Sequence, residues 1–141
     1  MQQMFEFIGH HLVLFAMLVA ISLMLIWNFY GSVMSGVKQL SPMEMTRLIN
    51  HNAAVVLDVR SNTDYHKGHV LGALNIPDAE IPARREDLEK HKQQAVIVYC
   101  ELGNTSDRVV RTLKAYGFEQ VYGLKGGLGS WRQANLPLTK D

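Results

Sequence analysis

Residues 12–30 form an uninterrupted run of 19 without a charged side chain, in which only Ser22 and Asn28 are clearly polar. No other feature restricts the fold as tightly. At 1.5 Å per residue such a run makes roughly 28 Å of helix, close to the thickness of a bilayer's hydrocarbon core. Eleven of the 19 residues are Leu, Ile, Val or Phe, and their insertion contributes on the order of 3–7 kcal/mol. Phe5 and Phe7 on one side and Trp27, Phe29 and Tyr30 on the other are placed as interfacial aromatic belts. A core helix that is apolar all round has no place to be buried in a chain of 141 residues.

Charge is segregated accordingly. Glu6 is the only charged side chain before Lys38, so all 14 Lys and Arg and 12 of the 13 Asp and Glu lie in residues 38–141. The expected organisation is a transmembrane anchor helix at 8–30, a linker at 31–37 and one folded domain at 38–141. An excess of two positive charges, without a Lys/Arg stripe, gives no electrostatic basis for nucleic-acid binding. A secretory signal would begin with Lys or Arg, whereas this chain begins Met-Gln-Gln-Met-Phe-Glu, which favours an uncleaved anchor. Lys38 and Arg47 follow the span and no cation precedes it, so the positive-inside rule puts the domain in the cytoplasm. Ala16 and Ala20 form a single small-xxx-small pair, a possible contact for a membrane-protein partner.

Within the domain, strand and helix patterns alternate. Ser41-Pro42-Met43-Glu44 is a helix start with a hydroxyl cap, Pro at the first position and Glu three residues after the cap. The β-branched runs at 54–59 and 95–100 read as strands buried on both faces. Shorter strands are expected at 73–76 and 121–124. Helices are expected at 61–67, at 105–116 with Val109, Val110 and Leu113 facing in, and around Trp131. The charged stretch 84–91 is expected to lie outside the core. The alternation predicts an α/β domain with a mainly parallel sheet.

Cys100, the sole cysteine, ends the second long strand. A lone thiol excludes an internal disulfide and a Cys-rich metal site. The loop Cys100-Glu101-Leu102-Gly103-Asn104-Thr105-Ser106 leads directly into a helix, whose free N–H groups favour a thiolate. Gly103 lets the backbone wrap around an anion.

Residues 56–60 (Val-Leu-Asp-Val-Arg) and 64–77, from Asp64-Tyr65 through Gly68-His69 and Gly72-Ala73 to Ile76-Pro77, resemble the first signature of the rhodanese-like domain. Residues 97–106, then Gly117-Phe118, Val121-Tyr122, Gly126-Gly127 and Trp131, resemble the second. The resemblance covers about residues 38–138. With the N-terminal span, it points to membrane-anchored single-domain members of Gram-negative bacteria, in the inner membrane. It implies a five-stranded, mainly parallel sheet flanked by helices and preceded by one transmembrane helix. It also implies sulfurtransferase chemistry, in which a persulfide on Cys100 passes sulfane sulfur from a donor to a thiol or other nucleophilic acceptor. Glu101, Leu102, Gly103, Asn104, Thr105 and Ser106 then form the substrate cradle. Arg60 matches the family's Asp-x-Arg pattern and either steers anions or pairs with a nearby carboxylate. Asp58, Tyr65 and His69 match positions read as structural. No cofactor or metal is expected.

Two departures are informative. Thr105 stands where many family loops carry Arg, which argues against a phosphatase, since that chemistry needs a bidentate clamp. Glu101 and Leu102 stand where thiosulfate-using members often carry basic residues, so thiosulfate is expected to be a poor donor. The alternative reading is a catalytically silent module that binds a membrane-protein partner.

Overall fold

A computed structural model describes residues 11–33 and 36–140. The chain divides into two units, one ending at Gly36 and the other beginning at Val37.

The first unit contains α1 (Leu12–Val33). Every side chain from His11 to Tyr30 is exposed, and the helix is long and apolar enough to cross a membrane. Phe5, Phe7 and the first residues of the expected anchor lie outside the described residues, as do positions 34 and 35 of the expected linker. The helix continues three residues into that linker. One glycine costs a helix interior only about 1 kcal/mol, too little to stop 19 residues already propagating.

The second unit is an α/β domain. Its elements are β1 (Gln39–Leu40), α2 (Pro42–Asn52), β2 (Val55–Asp58), α3 (Asn62–Lys67), β3 (Leu74–Asn75), a 3₁₀ turn (Asp78–Glu80), α4 (Arg85–Glu89), β4 (Val96–Tyr99), α5 (Asn104–Ala115), β5 (Val121–Leu124) and α6 (Gly127–Gln133). The five strands lie in the order β1-β5-β4-β2-β3, and every pairing is parallel. The expected α/β sheet is therefore present. An antiparallel bridge between His69 and Thr139 lies outside the strands.

Local sequence explains the element boundaries. Ser41 Oγ accepts the Glu44 N–H at 3.3 Å, and the Glu44 carboxylate accepts the Ser41 N–H at 2.7 Å. This reciprocal pair starts α2. Along β4, Val96 and Val98 join one core layer with Leu57, Val110 and Leu113, while Ile97 and Tyr99 join the other with Met45, Leu128 and Trp131. The period of two explains why the whole run is apolar. α4 is less peripheral than its charge suggests, because Leu88 is fully buried beneath it. β1 pairs only through Gln39 and Leu40 against β5, too short a segment to leave a periodic signal.

Register places the site. Asp58 pairs with Tyr99, so β2 and β4 end level at the carboxyl edge of the sheet, and the segments beginning at Val59 and Cys100 emerge side by side. Open parallel sheets bind ligands beyond this edge.

Candidate active site around Cys100

Cys100 continues the line of Val96 and Val98, so its side chain faces the α5 layer and is only 6% exposed. Its sulfur lines a cleft of about 590 Å³. The Gly103 N–H donates to Cys100 Sγ at 3.0 Å. Ser106 is buried and its hydroxyl donates to the Gly103 carbonyl at 2.8 Å, leaving its oxygen 3.7 Å from the thiol. Gly103 adopts φ 101°, a conformation open to glycine at little cost. Among the described residues no side chain caps α5, although Asp107 lies in its first turn, so its first amides are left to the sulfur loop.

The loop is fixed from outside its own sequence. The Leu128 N–H donates to the Cys100 carbonyl at 2.8 Å, and the Gly129 N–H to the Glu101 carbonyl at 3.1 Å. α6 thus turns two loop carbonyls away from the sulfur. A Cβ on Gly127 would stand 2.5 Å from the Cys100 carbonyl oxygen, and this contact accounts for the glycine at position 127.

The other wall is ionic. Asp58 is fully buried, and the Arg60 guanidinium meets it through Nη2 at 2.7 Å and Nε at 3.1 Å. Nη2 also donates to the Gly68 carbonyl at 2.8 Å, and Nη1 reaches Glu101 Oε2 at 3.2 Å. Burial opposes the Arg60 charge, but hydrogen bonding and attraction to Asp58 prevail and hold its pKa above the ordinary value. Tyr99 is pushed far up by burial and by the neighbouring Asp58 carboxylate, so it remains a neutral phenol. The open choice for Arg60 falls to carboxylate pairing. Glu101 is half-exposed and also ion-paired to Arg132 on α6.

The structure brings Cys100, Glu101, Leu102, Asn104, Thr105 and Arg60 to the cleft surface. Gly103 and Ser106 lie beneath it, acting through a backbone N–H and a hydroxyl. Asp64, Lys67, Asp78 and Arg132 also line the cleft, and sequence reasoning missed them. Arg132 lies 31 residues from Glu101, and its only sequence cue is that it follows the inward-facing Trp131. His69 is buried away from the cleft, stacked on Tyr65 at 3.7 Å and bonded through Nδ1 to the Tyr65 carbonyl at 2.9 Å.

The family model for the rhodanese-like domain matches residues 41–134. The chain belongs to the rhodanese-like family. It is 38% identical to the uncharacterized protein YibN of Escherichia coli (strain K12), over 99% of each chain. It is also 35% identical over 95 residues to the thiosulfate sulfurtransferase GlpE of Coxiella burnetii (strain RSA 331 / Henzerling II), covering 67% of this chain and 87% of that one. Among solved structures, the rhodanese-related protein of Thermoplasma volcanium superposes with a TM-score of 0.67 at 26% identity, covering 74% of this chain and 99% of that one.

Proposed function

We propose that the chain is a membrane-tethered sulfurtransferase that moves sulfane sulfur through a persulfide on Cys100. Family membership and the GlpE relative support sulfurtransferase-type chemistry at the family level. The observation that carries the reading is Cys100, a lining residue of the cleft, whose Sγ accepts the Gly103 N–H beside a helix with no side-chain cap. The Cys100 thiolate attacks the outer sulfur of a donor, and a new S–S bond forms as the donor's own bond to that sulfur breaks. Its electron pair leaves with the donor. The persulfide anion rests among the loop amides, which supply preorganised donors without a general base. An acceptor thiolate or other nucleophile then takes the outer sulfur, and the electron pair returns to Cys100.

The test is intact-mass analysis of the full chain in neutral detergent after incubation with a sulfane donor. One added sulfur is expected, removable by cyanide as thiocyanate and absent from Cys100→Ser. No adduct with any donor would leave the interaction-module reading. The tether is α1, and Lys38 and Arg47 after it orient the domain to the cytoplasm of the bacterial inner membrane. Protease added outside intact spheroplasts should leave the domain uncut, whereas digestion would reverse the topology.

A further inference from the structure

Every charged side chain lining the cleft has an ionic partner. Lys67 meets Asp64 at 2.9 Å, Asp78 meets Arg108, and Arg60 meets Asp58. Glu101 completes the set by dividing its two carboxylate oxygens between Arg60 Nη1 and Arg132 Nη1. Asp58 already neutralises Arg60, so the chain Asp58–Arg60–Glu101–Arg132 alternates in sign and sums to no net charge. Cys100 therefore shares its cleft with two guanidinium groups whose Nη1 atoms are both taken up by Glu101.

We propose that Glu101 is an internal latch that occupies these two arginines and selects sulfur donors without an anionic group beside the transferred sulfur, an organic persulfide rather than thiosulfate. The proposal rests on the reading of Cys100 given above. The Glu101 carboxylate is itself paired with both arginines, so the selection works by occupying them and not by repelling the donor. With thiosulfate, attack of the Cys100 thiolate on the outer sulfur breaks the sulfur–sulfur bond and expels sulfite with the electron pair. Donor and leaving group are both dianions, and each needs a free cation in the cleft. With an organic persulfide the leaving group is a single thiolate on a carbon body. Leu102, 73% exposed on the rim, offers that body an apolar surface. Loss of the Glu101 charge would release Arg60 Nη1 and Arg132 Nη1 together, next to the uncapped end of α5.

The latch is read without catalysis by titrating inorganic sulfate into the full chain in neutral detergent and following the Gly103 and Asn104 amides and the arginine Nε signals by NMR. Glu101→Gln should bind sulfate about fivefold to tenfold more tightly than the parent chain, with the gain shrinking at high salt. Adding Arg132→Gln should cut the gain, leaving only what Arg60 Nη1 contributes. In parallel, the ratio of thiosulfate to alkyl-persulfide loading rates on Cys100 should rise by a similar factor in Glu101→Gln. Equal sulfate affinity in the parent and Glu101→Gln chains would overturn the latch, and so would a gain undiminished by Arg132→Gln. A sulfate gain without sulfur loading in any variant would sink the proposed function and leave the latch standing.

Discussion

The turn that follows β2 and the turn that follows β4 leave the same sheet edge side by side, with Asp58 and Tyr99 in register. The first is closed by its own side chains. Asp58 accepts the Arg60 backbone N–H at 2.9 Å as well as its guanidinium, and Ser61 Oγ accepts the Asp64 N–H at 3.1 Å to cap α3. Asn75 Nδ2 ties down the Asp58 and Arg60 carbonyls. The second turn is closed less by its own side chains. Ser106 holds the Gly103 carbonyl, but the Cys100 and Glu101 carbonyls are held by the amides of α6, the Gly103 N–H points to sulfur, and no side chain among the described residues caps α5. Donors satisfied internally make a scaffold, whereas donors left beside a thiol on a fixed loop make a site.

The largest effect expected comes from breaking the closed turn. Arg60→Met leaves the Asp58 carboxylate fully buried with its main ionic partner gone, a loss of about 3–5 kcal/mol. Urea unfolding should read it, and Asp58→Leu in the same chain should restore much of the stability. A loss below about 1 kcal/mol would show that the pair contributes little beyond its volume. The open turn fails differently. Gly127→Ala drives a methyl against the Cys100 and Glu101 carbonyls, a strain of about 1–3 kcal/mol. Because the loop must shift to relieve it, sulfur loading of Cys100 should fall about tenfold to a hundredfold. A normal loading rate would mean that the loop position is not what prepares the sulfur.

The difference between the turns also sets what the sequence discloses. The capping box of Ser41 and Glu44, the two buried strands and the position of Cys100 at a strand end depend on contiguous residues, so they are legible in the pattern. The Gly103 conformation follows from the same loop. The ionic wall is not legible, because Arg132 reaches Glu101 from another helix and only the packing of α6 joins them. The Asp58–Arg60 part of that wall is partly legible, since the Asp-x-Arg pattern offers carboxylate pairing, but its burial is set by the sheet. β1 escapes notice through its length, and the extension of α1 to Val33 because helix propagation overrides a local glycine.

Capping sharpens the comparison at smaller scale. Ser61→Ala removes the side-chain acceptor of the Asp64 N–H and should cost about 1 kcal/mol. Ser61 lines the cleft but makes no bond to the sulfur loop, so thermal unfolding should shift while sulfur loading per folded molecule stays close to the parent value. A fall in loading as large as that of Gly127→Ala would show that the two turns are coupled, and the division between scaffold and site would fail.

The smallest effect expected is a pH dependence of the closed turn. Hydrogen bonds from Lys67 and Ser61, together with the Lys67 charge, hold the Asp64 carboxyl below its ordinary value. A carboxylate with a lowered folded-state pKa binds fewer protons in the native chain than in the unfolded one. Its contribution is therefore fully present above the unfolded value, near pH 4, and is lost as pH falls through the folded value. Asp64 and Lys67 are both well exposed, so the contribution is modest and screened by salt. The stability gap between the parent chain and Asp64→Asn should be present at pH 7 and shrink towards pH 3. A gap unchanged between those pH values would assign the effect to shape or capping instead of charge. An effect present at neutral pH and lost in acid would place a titrating charge in the closed turn.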